Sequence, residues 1–342
     1  TAIRILYCWL ILISCMIQQI QLLIRLIRIV MNILFTTSNE YACHAGVAIT
    51  SLFENNKGID INVFIMTTGY SDDNLLRMAN LADRYHQKIK VITVEEKSLQ
   101  FEIPTGKWGI YTYLKLFAYR YIHVDRLLYL DTDIIVCPND ICQLSDINEI
   151  DISNYYIAIP PDTNRYNFYR NKLPFYGCCG VIYMNLEKWR SENLTQKAFD
   201  FLNQEACHIK YAEQDILNNI CKNHIYELPL RYNMMNLYLK NDSYLPNKYK
   251  TIFEVELRKT VILHYAAVIK PWNSDCNFYL KNLYWRYAKL SGWNIKSSRS
   301  SEYTILRWGG KLFFTLLQSL GLYKHKNLFL SRRNVHSINP NF

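Results

Sequence analysis

Along the first third of the chain, short apolar runs alternate with stretches of helical spacing. Ile33–Thr37, Ile61–Met66, Ile89–Val94 and Arg126–Leu130 have the length and apolar density of buried strands. Between them, Ala45–Glu54 carries helical spacing and meets a stop signal at Asn55-Asn56-Lys57-Gly58. Ser71 precedes a second helix that runs to about Tyr85, and Asp72 and Asp73 in its first turn suit the helix dipole. Pro104 to Gly109 reads as a loop and Tyr111–Tyr121 as a helix. Further on, Tyr156–Ile159, Val181–Met184 and Val261–His264 read as strands, and Leu194–Asn203 and Gln214–Cys221 as helices. Strands alternating with helices predict an α/β fold with a mostly parallel central sheet and flanking helices. Ligands bind such sheets beyond the carboxyl ends of the strands.

One strand-like run breaks the apolar pattern. In Leu127-Leu128-Tyr129-Leu130-Asp131-Thr132-Asp133-Ile134-Ile135-Val136, two carboxylates stand one position apart. Burying bare carboxylates is costly unless a cation pairs them. Asp131 and Asp133 are therefore expected at the strand's end, facing a hard divalent cation that shares its oxygen ligands with a substrate's phosphates. The plain alternative is a solvated turn, where Asp is common.

Charge is unevenly placed. The net charge is +10, but residues 1–30 carry Arg4, Arg25 and Arg28 and no acid, and residues 295–342 carry eight Lys/Arg against Glu302. The body between them is neutral, which argues against nucleic acid as a partner. After the polar linker Ser297–Ser301, the apolar and aromatic stretch Ile305–Tyr323 lies among basic residues. Residues 295–342 are thus expected to form an amphipathic tail that associates with an anionic membrane surface. Residues 1–30 form an apolar leader: a signal-peptide core, a membrane segment, or a stretch ahead of a native start at Met31, the reading preferred here because Met31–Phe35 opens like a first strand. Residues 31–294 then form the catalytic body. The ten cysteines show no CxxC pair or zinc spacing, so reduced, buried thiols in a cytoplasmic protein are expected.

Four further segments carry candidate chemistry. Thr36, Thr37, Ser38, Asn39, Glu40 and Tyr41 follow the first strand with no Gly-rich phosphate loop, and could recognise a base or ribose through side chains. Lys115, on the helix before the Asp pair, could reach an anionic donor as a point charge. Glu213, Gln214 and Asp215 cluster at a helix start; capping explains the acids but not Gln214. His264 ends a strand and can ligate a metal, and Lys270, Pro271 and Trp272 put a cation and a ring in one turn.

The segments FTTSNEYA, TYLKL, LLYLDTDIIV, YGCCGVIYMNLEKW, EQDILN and HYAAVIKPW, in this order, resemble glycosyltransferase family 8 across residues 31–290. That family includes bacterial lipopolysaccharide galactosyl- and glucosyltransferases and the glycogenins. The resemblance implies a GT-A fold, a UDP-hexose donor, Mn2+ with Mg2+ as the alternative, and retention of anomeric configuration. Carried over by motif, Asp131, Asp133 and His264 would ligate the metal, and Lys270, beside Ala267, would hold the diphosphate. Residues 36–41 would bind uridine, Lys115 would face the donor, and Gln214 would stand by the reacting carbon with Glu213 and Asp215 beside it. The implied acceptor is an oligosaccharide or lipid-linked glycan such as lipopolysaccharide, at the cytoplasmic face of a membrane.

The chain departs from the family pattern in places. Ser38 replaces a usual Asp, Glu40 a common Asn, Gly177 an aromatic, Cys178 an Asn and Ala267 a Gly. None removes a metal ligand, so activity with altered selectivity is expected. Two rival readings are a haloacid-dehalogenase-like phosphatase, which would use Asp131 as its nucleophile, and a degenerate transferase serving as a membrane-bound interaction partner.

Overall fold

A computed structural model describes residues 30–99, 109–162, 172–240 and 245–298. Residues 1–29 of the expected leader, the 104–109 loop up to residue 108 and nearly all of the basic tail lie outside them.

Seven strands form the central sheet among the described residues: β1 (Val30–Thr36), β2 (Asp60–Thr67), β3 (Lys88–Thr93), β4 (Arg126–Leu130), β6 (Ile157–Ile159), β7 (Val181–Asn185) and β8 (Ile225–Glu227). Their order is β3-β2-β1-β4-β7-β6-β8. Only β7 runs against its neighbours, so the sheet is mostly parallel, as the alternating pattern predicts. A second sheet contains β5 (Ile134–Val136), β9 (Met234–Met235) and β10 (Ile262–His264) in the order β5-β10-β9.

Period-two alternation assigns each strand residue to one of two cores. Ile33, Phe35, Leu128 and Leu130 join the core beneath helix α1 (Ala42–Glu54) and helix α2 (Asp72–Tyr85). Leu34, Leu127 and Tyr129 face the other way, toward α3 (Leu194–Glu205) and α4 (Ala212–Ile220). Burying a side chain such as Phe35 completely is worth roughly 2–3 kcal/mol. The α2 start is as predicted, with the Ser71 hydroxyl accepting from the Asn74 amide. The last described helix, α5 (Lys281–Ser291), lies against α1: Tyr284 bonds His44 and Tyr287 bonds Asn55.

The strand Arg126–Leu130 ends at the Asp pair, as expected; beyond the pair, Ile134–Val136 forms a separate strand, β5, in the other sheet, which the apolar pattern did not announce. Two expectations need correction. The expected helix 111–121 is three helical turns, Tyr111–Leu114, Lys115–Phe117 and Ala118–Tyr121. Thr195 Oγ1 donates to the Leu116 carbonyl at 2.6 Å and so takes an acceptor from the helical ladder. The first helix starts at Ala42, three residues before the predicted Ala45. No described helix is long and apolar enough to cross a membrane.

Candidate active site

The strand exchange creates the site. Leaving β4, the chain turns through Asp131-Thr132-Asp133 and enters β5, which pairs antiparallel with β10 so that His264 lies opposite Ile134. The Tyr265 amide donates to the Asp133 carbonyl at 2.9 Å and locks that register. Two residues 131 positions apart thus meet: His264 Nε2 is 3.1 Å from Asp133 Oδ1 and 3.8 Å from Asp131 Oδ2. His264 Nδ1 donates to Asn233 Oδ1 at 2.8 Å, which aims Nε2 at the carboxylates. Lys270 Nζ donates to Asp133 Oδ2 at 2.5 Å and to the Tyr265 carbonyl at 2.9 Å.

The electrostatics follow from these contacts. Burial would raise the Asp133 carboxyl, but Lys270 and His264 outweigh it and hold the group well below the usual carboxylate range. Burial would lower the His264 imidazole, but Asp133 pushes it up to about 10. Ligand atoms of Asp131, Asp133 and His264 all lie within 4.8 Å of one another. Two carboxylates and one imidazole make a mixed oxygen and nitrogen donor set that fits Mn2+ and, less well because of the imidazole, Mg2+. Gly180 is required here, because a Cβ at that position would run into the His264 ring and lie 2.9 Å from Asp131 Oδ2.

This cluster forms one wall of a cavity of about 300 Å³. Gln214 and Asp162 stand on another wall, and Cys178, Met235, Leu237 and Ala266 make an apolar side. Gln214 is clamped: its Oε1 accepts from the Cys179 amide at 3.1 Å, and its Nε2 donates to Asp162 at 3.0 Å and Tyr176 at 3.3 Å. The structure thus brings Gln214 to the cavity that Asp131, Asp133 and His264 line. Glu213 also lines it, but its carboxylate accepts from Lys115 Nζ at 2.7 Å. Lys115 is 1% exposed and also lines the cavity, with Asp131 Oδ1 3.9 Å away. Asp215 is turned elsewhere. It accepts from the Tyr176 hydroxyl and from the Lys210 and Tyr211 amides, the capping role its position allows.

Residues 36–41 lie beside the cavity rather than in its wall. Thr36 and Thr37 are buried at the end of β1, Ser38 Oγ accepts from the Tyr41 amide at 3.4 Å, and Glu40 and Tyr41 are exposed. The Tyr41 ring stands edge-on to Trp272 at 6.1 Å, which brings this segment to the Lys270-Pro271-Trp272 turn. Ala267 is in the same stretch, although Ala266 is the residue that reaches the cavity. Sequence reasoning missed Asp162 and Asn233, and gave Tyr176, which opens the YGCCGVIYMNLEKW segment, no role of its own. Each acts through a partner distant in sequence, and nothing local distinguishes them.

His44 supports this turn, stacking on Trp272 with ring centroids 3.7 Å apart and bonding the Tyr284 hydroxyl at 2.7 Å. Burial lowers its pKa to about 4. Unfolded, the imidazole titrates near its ordinary 6.5, so the unfolded chain binds the extra proton between pH 6.5 and 4. Stability should fall as pH drops through that window, by about 3 kcal/mol from this group. Denaturant unfolding at pH 7 and pH 4.5 should show a smaller loss in His44→Gln than in the wild type; equal losses would show that His44 is not the source.

The family profile described as glycosyl transferase family 8 matches residues 32–276. A lipopolysaccharide 1,2-glucosyltransferase of Escherichia coli (strain K12) is 27% identical over 281 residues, 80% of this chain and 81% of that one. A lipopolysaccharide 1,3-galactosyltransferase of Salmonella typhimurium (strain LT2) is 25% identical over 258 residues, 71% of this chain and 73% of that one. The crystal structure of galactosyltransferase LgtC in complex with donor and acceptor sugar analogs superposes with a TM-score of 0.65 at 22% identity, covering 80% of this chain and 99% of that one. This likeness establishes the GT-A-type α/β fold.

Proposed function

Since the chain belongs to glycosyltransferase family 8 and is a hexosyltransferase, we propose that it moves glucose or galactose, with retention, from a UDP-sugar to a lipopolysaccharide-type glycan in a reaction that requires Mn2+ or Mg2+. The observation that carries this reading is the convergence of Asp131, Asp133, His264 and Lys270 on the cavity that Gln214 lines. Asp131, Asp133 and His264 would hold the metal, which when bound neutralises charge building on the departing diphosphate.

The chain's own residues supply the rest. Lys270 is placed to turn from Asp133 to a phosphate oxygen as a point charge. The clamped Gln214 amide presents a fixed dipole to the cavity. Glu213 is paired with Lys115, and Asp215 accepts three hydrogen bonds, so neither carboxylate is a ready nucleophile. Direct attack by the acceptor hydroxyl on the face the diphosphate leaves needs neither of them. The residues 36–41 beside the Trp272 turn are suited to the uridine. The intact donor set supports activity over the degenerate reading. A phosphatase reading is disfavoured by family membership and by Asp131, whose Oδ1 accepts the Tyr129 hydroxyl and whose Oδ2 faces His264. The basic excess of residues 295–342 supports peripheral attachment at the cytoplasmic face of an anionic membrane.

Purified chain with Mn2+ and a lipopolysaccharide-derived acceptor should release UDP from UDP-glucose or UDP-galactose, and chelation should stop it. No release from either donor across a panel of lipid-linked and oligosaccharide acceptors would refute the transferase assignment for these donors. The full chain should also sediment with anionic vesicles and lose this on deletion of residues 299–342; retention after deletion would refute the tail's role.

A further inference from the structure

Tyr129 lies on β4 two residues before Asp131 and is 2% exposed. Its ring satisfies the apolar pattern of the strand, but a buried phenol hydroxyl needs a partner. That hydroxyl donates to Asp131 Oδ1 at 2.6 Å. Its single hydrogen is then used, so it accepts from Thr36 Oγ1, 3.3 Å away at the end of β1. The Lys115 ammonium sits 3.9 Å from the ring centroid and 3.9 Å from the same Oδ1. Every one of these contacts falls on Oδ1 or on the group that holds it. The other oxygen, Oδ2, is the one that faces His264 Nε2 at 3.8 Å.

We propose that Tyr129 is a positioning residue that occupies Oδ1 of Asp131, so that Asp131 meets the cation through Oδ2 alone, and that Thr36 ties this arrangement to the end of β1. The proposal rests on the reading of Asp131, Asp133 and His264 as a cation site. Partners of this kind orient a ligand, and their loss typically weakens metal affinity about 10- to 100-fold. A tyrosine kept only for packing would be replaced by phenylalanine without any effect on metal binding.

The test uses the full chain. Free Mn2+ is titrated by electron paramagnetic resonance without nucleotide, turnover is measured against Mn2+ concentration, and thermal unfolding is followed without metal. Tyr129→Phe should bind Mn2+ about 10- to 100-fold more weakly. Its apparent KM for Mn2+ should rise in step, while kcat at saturating Mn2+ stays near the wild-type value. Thr36→Val, a milder change, should weaken Mn2+ by about 2- to 10-fold, the size of one lost hydrogen bond, and it carries the test if Tyr129→Phe fails to fold. Wild-type Mn2+ affinity in either folded variant overturns the proposal. Failure of the wild-type chain to bind Mn2+ overturns the cation site itself, and the role of Tyr129 with it.

Discussion

In Asp133→Asn, UDP should bind with the same affinity with and without Mn2+, and hexose transfer should fall by about 1,000-fold or more. The loss follows from the position of this carboxylate. Asp133 is the one residue of the cluster that touches both His264 and Lys270 directly. A bound cation contributes several kcal/mol to stabilising a departing diphosphate, and each 1.36 kcal/mol is a factor of ten in rate. Asparagine keeps the shape but offers a neutral oxygen in place of a charge. It also leaves Lys270 and His264 as two adjacent groups without their shared anion. The metal-free variant should therefore be less stable by about 3 kcal/mol, the lower end for breaking a buried pair. The Asp133 carboxyl is held below its unfolded value, so its contribution is present above the unfolded pKa and disappears as pH falls through the depressed one. At pH 7 the whole difference should be measurable. Calorimetric titration of UDP with and without Mn2+ is the direct measurement; a wild-type metal effect on UDP affinity in the variant would remove Asp133 from the metal site.

Asp131 and Asp133 were legible in the sequence because their signal is local: charge inside an apolar run is costly, and that cost implies a cation. His264 and Lys270 were legible only in combination with the upstream Asp pair and the ordered set of family-like segments, because a lone His or Lys carries no comparable anomaly. The division of the run into two strands was not legible. Ile134–Val136 continues the hydrophobic pattern of β4, and only pairing with β10 draws it into another sheet. The strands β8 and β9, three and two residues long, are defined by distant partners rather than by any propensity of their own. Tyr129 read as an ordinary strand residue, since the pattern records that a ring is buried and not where its hydroxyl points. Lys115 lines the cavity, but the extent of its burial was not legible. A cation on a short helical segment reads as solvent- or ligand-facing, and its burial depends on Glu213, a residue 98 positions away.

That burial gives the second large effect. Lys115→Met preserves the length and apolar stem of the side chain but removes the only charge within hydrogen-bond reach of Glu213 among the described residues. Glu213 is 6% exposed, and burial already raises its pKa against the pull of Lys115. Removing one partner of a buried pair costs about 3–5 kcal/mol while the other stays charged. Glu213 can escape part of this by binding a proton. In the variant, its folded pKa should rise further above the unfolded value, so the folded state holds the proton over a wider range. Stability should then be highest below the unfolded pKa and fall as pH rises toward the folded one. The expected result is a small loss at pH 5 and the full loss, about 3–5 kcal/mol, at pH 8. Lys115→Met with Glu213→Gln should recover most of that loss at pH 8, because a neutral amide does not need the ammonium. Denaturant unfolding of the single and double variants at both pH values tests the chain of reasoning. A single variant as stable as the wild type at pH 8 would mean that Glu213 is not charged in the folded enzyme.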